Sequence, residues 1–251
     1  MRVLRFTANP GSAAATNLGG DPLFGVLEDD QKTISVLNGD PLFNGIAKNG
    51  QLTSIDEVRL LAPVLPRSKV VCVGKNYSDH AKEMGGEVPP EPIIFLKPNT
   101  SVAGPHDVIN WPWMSERIDH EAELAIVIGR ICKDVPRERS REVIFGYTIA
   151  NDVTARDLQS RDGQWTRAKG FDTFCPIGPW IDTDFIPGNQ ELTCTVNGEI
   201  KQRATLNQMM FGVDEIIHFI TSVMTLLPGD VILTGTPAGI GPMPEKSTVT
   251  C

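Results

Sequence analysis

The stretch "DHEAELAIVIG", Asp119 to Gly129, constrains the fold more than any other segment. Side chains alternate across a strand, so Glu121, Glu123, Ala125 and Val127 share one face, and Ala122, Leu124, Ile126 and Ile128 share the other. Both faces turn apolar beyond Glu123. A strand of this kind needs cover on both sides, so it belongs in the interior of a layered, sheet-based domain and not at a wet edge. Two carboxylates two residues apart on one face of such a strand repel each other, and burying either alone is costly. Three arrangements relieve this: solvent at the strand end, basic partners such as arginines, or a cation held by oxygen ligands. A third carboxylate is available in Asp152, at the end of the apolar strand candidate "YTIANDV".

Other elements follow from pattern and punctuation. "LFGVLED", "KTISVLNG", "KVVCVG", "PPEPIIFLKP" and "VILTG" read as strands, and "LTCTVNGEIKQRA" as a hairpin turning at Asn197-Gly198. "SDHAKEM" reads as a short helix with Ser78 as N-cap and Gly85 as its stop, and "VPRERSREVIFGY" as a surface helix beginning after Pro136. "VDEIIHFITSVMTLL" carries apolar residues at helical spacing (Ile216, Ile217, Ile220, Val223, Met224, Leu227), with "PGD" ending the helix. The pentapeptide "GDPLF" occurs at Gly20 and again at Gly39 with unrelated flanks, a coincidence and not a repeat. Strands outnumber helices without βαβ alternation, which predicts an α+β, mainly β chain. The proline-bearing "LAPVLPRSK" reads as a linker between a small N-terminal β-rich domain, residues 1–65, and a larger domain, residues 66–251.

Composition narrows the function classes. The 251 residues carry a formal net charge of -8, which argues against non-specific nucleic-acid binding. The N-terminus lacks the apolar core of a signal peptide, and no apolar run reaches the ~18 residues of a spanning helix. The expectation is a cytoplasmic protein without membrane or nucleic-acid partners. Cys72, Cys132, Cys175, Cys194 and Cys251 are scattered with no CxxC pair, which predicts free, mostly buried thiols and no zinc knuckle.

Three more clusters carry chemistry. His80 and Glu83, three apart on a helix, can pair so that the carboxylate fixes the imidazole tautomer and makes a general base; a solvated surface pair fits the same spacing. Arg156, Arg161, Arg167 and Lys169 bring positive charge within reach of the acidic cluster, for a carboxylate substrate or an enolate, although Arg161 and Arg167 also fit solvated positions. Trp165, Phe171, Phe174 and Trp180 read as packing residues. "LTGTPAGIG" offers a hydroxyl and backbone N–H groups able to clamp an anion, without the spacing of a nucleotide P-loop.

Taken in order, "VGKNYSDHAKEM", "PIIFLKPNTSVAGP", "HEAELAIVIG", "ANDVTARDLQ", "KGFDTFCPIGPW", "NQMMF" and "LLPGDVILTGTPAGIGPM" resemble the fumarylacetoacetate hydrolase family, over about Val70 to Met243. The resemblance implies a mixed β-roll that binds Mg²⁺ or Mn²⁺ through Glu121, Glu123 and Asp152. It implies that the segment with His80 and Glu83 is a lid that activates a water, and that Lys169 stabilises developing negative charge. It further implies that Arg156 and Gln159 face the substrate, that the loop with Thr236 holds a substrate carboxylate, and that the chain forms a homodimer. Family members run one or two strands beyond "PEKSTVTC", so a missing strand and an open sheet edge are expected here.

The chemistry so implied is action on small 2-oxo or 1,3-diketo acids through an enolate. The foremost expectation is C–C bond hydrolysis of an acylpyruvate-like acid. Isomerisation of 2-hydroxyhepta-2,4-diene-1,7-dioate, as in aromatic compound catabolism, and oxaloacetate decarboxylation use the same enolate. A non-catalytic, metal-stabilised binding protein is the alternative of another class, which the His80–Glu83 pair disfavours.

Overall fold

The computed structural model describes residues 1–83 and 89–251. It is mainly β, with a twelve-stranded sheet as its spine among the described residues. The strand order across that sheet is Lys48–Ser54, Thr33–Leu37, Leu23–Leu27, Arg2–Ala8, Cys175–Asp182, Ile144–Asn151, Ala122–Ile128, Val231–Leu233, Val70–Gly74 and Ile93–Lys97. Val58–Leu61 pairs with Arg2–Ala8, and Val102–Ala103 with Cys175–Asp182. The N-terminal strands therefore continue the same sheet: Arg2 and Val3 pair with Asp182 and Ile181. Ala62 and Val64, in the proline-bearing segment, are buried in the core that Ala125, Val127 and Val231 also enter.

Ala122–Ile128 lies centrally, antiparallel to both Ile144–Asn151 and Val231–Leu233. Its two faces enter different cores. Ala122, Leu124, Ile126 and Ile128 pack with Ile216, Ile217 and Ile220 of the helix Val213–Val223. Ala125 and Val127 pack on the opposite side with Val70, Cys72 and Ile177. All seven strand residues are buried. Burial of a Leu or Ile side chain is worth about 1.5–3 kcal/mol, so this double cover stabilises the strand on which the site is built.

The hairpin forms as expected: Glu191–Val196 pairs with Glu199–Thr205, and Asn197 and Gly198 both take positive φ, 51° and 81°. Val213–Val223 stops earlier than the pattern suggested, four residues ahead of Leu227. Two other helix expectations change. Ser78 is the first residue of the helix Ser78–Glu83, while Gly85, the expected stop, lies outside the described residues. Arg137–Val143 is a 3₁₀ helix. Its buried residues, Ser140 and Val143, are three apart, which matches three residues per turn and puts both on the packed face. The two copies of "GDPLF" adopt different structures. The first leads into the strand Leu23–Leu27, whereas in the second Asp40 caps the short helix Pro41–Asn44. Four cysteines are buried and Cys251 is exposed, all as free thiols. Among the described residues no helix is long and apolar enough to cross a membrane.

Candidate metal centre and active site

Glu121 occupies the break between the short strand Ile118–His120 and Ala122–Ile128, and Glu123 follows on the same side. Asp152 comes directly after the neighbouring strand Ile144–Asn151, whose Asn151 pairs with Ala122. Strand pairing thus brings the three carboxylates together. One oxygen from each lies within 4.8 Å of the others, and all three residues are buried.

Their surroundings differ. Glu121 accepts hydrogen bonds from Lys169 Nζ (2.8 Å) and Thr154 Oγ1 (3.1 Å) and pairs closely with Arg156. Burial opposes its charge, but Lys169 and Arg156 outweigh burial and hold its carboxyl well below the usual range. Asp152 is gripped at both oxygens, by Lys97 Nζ (2.6 Å) and by Lys169 Nζ (2.6 Å). Lys169 is held above the ordinary lysine range: burial acts against its charge, and Asp152 and Glu121 overcome it. Glu123 is the exception. It is 1% exposed, its hydrogen bond among the described residues comes from Gly235 N (2.6 Å), and no lysine or arginine pairs with it there. Burial, then the charges of Asp152 and Glu121, push its proton affinity well up. Three clustered carboxylate oxygens, one of them in no ion pair among the described residues, fit a hard divalent cation such as Mg²⁺ or Mn²⁺.

A cavity of about 210 Å³ opens onto this cluster. Its lining holds Glu121, Glu123, Asp152, Lys169, Arg156, Gln159, Thr236 and His80, so eight of the nine residues to which the family resemblance gives a role meet in one place. The ninth, Glu83, hydrogen-bonds His80 Nδ1 (3.2 Å). Arg156 also donates to Asp119 (2.9 Å) and to Gln159. Arg167 and Arg161 stay at the surface beside Asp162. Trp165 does more than pack: it lines the cavity and meets Phe95 edge-on at 5.1 Å.

The loop after Val231–Leu233 binds anions, and they are the protein's own. Gly235 N donates to Glu123 and Gly239 N to both oxygens of Glu83 (3.2 Å), so one loop ties Glu123 to Glu83. Gly239 has φ +94°, and a Cβ there would lie 2.1 Å from Lys201 O, so only glycine fits.

Sequence reasoning missed several supports. Lys97 is a fully buried lysine behind Asp152. Asp119 is buried and braces both Arg156 and Arg117. Asn76 closes three hydrogen bonds with Phe211 and Thr234 just ahead of the His80 helix. Gln202, discussed below, is buried in a hairpin strand that reads as exposed.

With this geometry in place, comparison with known proteins assigns the chain. Residues 69–250 match the family model for the fumarylacetoacetate (FAA) hydrolase C-terminal domain, and residues 1–63 match the Rv2993c-like N-terminal domain. The chain belongs to the fumarylacetoacetate hydrolase family. Protein Rv2993c of Mycobacterium tuberculosis is 50% identical over 252 residues, covering 99% of this chain and 92% of that protein. The crystal structure of 5-carboxymethyl-2-hydroxymuconate delta-isomerase from Mycobacterium smegmatis superposes with a TM-score of 0.89 at 45% identity, covering 99% and 93% of the two chains. Oxaloacetate tautomerase Fahd2a, mitochondrial, of Rattus norvegicus is 46% identical over 189 residues, 74% of this chain and 60% of that protein. Members of the family are enzymes, and the carboxylate triad has the donor set to hold a metal ion.

Proposed function

We propose that the chain is a divalent-metal-dependent enzyme that hydrolyses the C–C bond of an acylpyruvate-like 1,3-diketo acid. The observation that carries this reading is the His80–Glu83 pair opening onto the same cavity as the carboxylate triad. Glu121, Glu123 and Asp152 would hold Mg²⁺ or Mn²⁺, which supplies Lewis-acid polarisation of the substrate's oxygens.

The protein's own groups supply the rest. Glu83 holds His80 Nδ1, which orients the ring and leaves Nε2 as the base atom. His80 Nε2 takes a proton from water as the oxygen attacks the distal carbonyl. The C–C bond then breaks, its electron pair passes to the pyruvate fragment as an enolate, and His80 returns the proton to that carbon. Lys169 and Arg156 supply positive charge beside the developing anion, and Gln159 hydrogen-bonds Arg156 at the cavity wall. Trp165 and Phe95 form an apolar wall against bulk water. A homodimer in the cytoplasm is part of the same proposal.

A second reading is isomerisation or tautomerisation of a 2-oxo acid. The names carried by the Mycobacterium smegmatis and Rattus norvegicus relatives favour it. There His80 Nε2 moves a proton between carbon and oxygen, and no water attacks. Oxaloacetate decarboxylation would use the same enolate. The test is incubation of purified protein with acetylpyruvate, oxaloacetate and a hydroxyheptadienedioate analogue, each with EDTA, Mg²⁺ or Mn²⁺. Metal-dependent formation of pyruvate and acetate supports hydrolysis. Keto–enol or double-bond migration without cleavage replaces it with the second reading, and inertness toward all three favours a non-catalytic binding protein.

A further inference from the structure

Two cysteines face each other where the strand Val249–Thr250 meets the hairpin. That strand runs antiparallel to Glu191–Val196, with Val196 opposite Val249 and Thr195 opposite Thr250. One step further along the ladder, Cys194 stands opposite Cys251. Asn197 N donates to Thr248 O (2.8 Å), so Asn197 and Thr248 are a hydrogen-bonded pair. Pairs alternate along an antiparallel ladder, which makes Cys194 and Cys251 a non-hydrogen-bonded pair. Such partners have Cα atoms about 4.5 Å apart, inside the range of about 4.4–6.8 Å that a disulfide spans. The two sulfurs already lie 3.8 Å apart. Rotation of the side chains, with the strand register kept, brings them to bonding distance.

The surroundings of Cys194 make it the nucleophile of the pair. Gln202 Oε1 accepts from Ala122 N (3.0 Å) and Gln202 Nε2 donates to Pro237 O (2.8 Å), which fixes the orientation of the amide. His120 Nδ1 lies 3.1 Å from Oε1. Since Oε1 only accepts, Nδ1 carries a proton. The same N–H faces Cys194 Sγ at 3.4 Å, and the Cys251 thiol donates to that sulfur from the other strand. Two donors on one sulfur favour its thiolate. The hydrogen bond from Cys251 acts most strongly, burial opposes it, and His120 adds to it, so the Cys194 thiol is held below its usual range. Access is divided the other way: Cys194 is fully buried and Cys251 is exposed.

The geometry points to a reversible redox site in which Cys194 and Cys251 form a disulfide by exchange with a low-molecular-weight disulfide, Cys251 as the entry thiol and Cys194 as the resolving nucleophile. In the first step Cys194 sulfur takes the Cys251 proton as Cys251 sulfur attacks R–S–S–R. A Cys251–S–S–R bond forms and R–S⁻ leaves. That anion recovers the proton from Cys194 and departs as R–SH. Cys194 thiolate then attacks the Cys251 sulfur, closing the protein disulfide and expelling the second R–S⁻. The two protein sulfurs lose two electrons, and the small disulfide gains them. Neither cysteine lines the cavity, so the site stands apart from the reaction proposed above. The new bond would tie the strand Val249–Thr250 to the hairpin whose Gln202 holds His120, the residue before Glu121.

The test is incubation of the purified wild-type chain with oxidised glutathione at neutral pH, followed by acid quenching, alkylation of free thiols under denaturing conditions and peptide mass spectrometry. The expected result is a Cys194–Cys251 linked peptide that dithiothreitol reopens, with Cys72, Cys132 and Cys175 alkylated. No linked peptide, glutathione left standing on Cys251, or a link through Cys72, Cys132 or Cys175 in its place overturns the proposal. This measurement depends on no variant's folding.

Two variants assign the roles. Cys194→Ser should retain glutathione on Cys251, because the resolving thiol is gone. Cys251→Ser should take up glutathione at Cys194 at least roughly tenfold more slowly than Cys194→Ser takes it up at Cys251, because the remaining thiol is buried. Equal rates would overturn Cys251 as the point of entry.

Discussion

Replacing Glu123 with Gln should stabilise the metal-free protein while removing its response to metal. Glu123 is buried and lies with one oxygen within 4.8 Å of oxygens from two other carboxylates. At an effective dielectric near 20, each such neighbour costs an ionised Glu123 about 3.5 kcal/mol, and Lys169 offsets part of that. A glutamine keeps the acceptor for Gly235 N and turns two donors toward Glu121 and Asp152. The net gain should be about 2 kcal/mol at pH 8 in EDTA, a rise of about 4–8 °C in Tm for a chain of this length.

The pH dependence follows from the sign of the Glu123 shift. Its folded-state proton affinity lies above the ordinary value of 4.5, owing to burial and to Asp152 and Glu121. The folded chain holds the proton that the unfolded chain releases. Wild-type stability in EDTA therefore falls as pH rises above about 4.5 toward the raised folded value, and the advantage of Glu123→Gln shrinks at pH 5. Metal reverses the order: at a hundredfold excess over Kd, the wild type gains about 2.7 kcal/mol and the variant gains almost nothing. Differential scanning calorimetry with EDTA and with Mg²⁺, at pH 5 and pH 8, reads both effects. A variant less stable than the wild type in EDTA at pH 8, or one that Mg²⁺ stabilises equally, would refute the reasoning.

Lys97→Met should cost about 3–5 kcal/mol in urea unfolding, because it strips a buried carboxylate of one of its two cations. The double variant Lys97→Met with Asp152→Asn should recover part of that loss, and an additive result would show that the pair is not coupled. His80→Ala should bind Mn²⁺ as the wild type does while losing about 10²–10⁴-fold in turnover, compared by metal titration and steady-state kinetics; retained turnover would remove His80 from the mechanism.

The triad was legible in sequence because alternation assigns Glu121 and Glu123 to one face, and because the apolar run after them makes their burial costly. The partners were less legible, and the reasons are physical. Lys97 ends a strand and precedes a proline, a setting that serves a solvated lysine equally well; it is buried because Asp152, 55 residues on and just past the end of another strand, reaches it. Gln202 sits between Lys201 and Arg203 in a strand whose residues are largely exposed, and it is covered only where the hairpin meets the loop at Thr236 and Pro237. The continuity of the N-terminal strands with the main sheet rests on pairing between Arg2 and Asp182, a long-range contact that local pattern does not encode. "LTGTPAGIG" did read as an anion clamp, but composition gave no sign that the anions were Glu123 and Glu83.

The central claim is that Glu121, Glu123 and Asp152 bind one divalent cation beside His80. Titration of Mn²⁺ into metal-free wild type, followed by electron paramagnetic resonance, tests it most directly. The account predicts one saturable site per chain that Glu123→Gln abolishes and His80→Ala retains. Absence of a saturable site, or one that survives in Glu123→Gln, would contradict it.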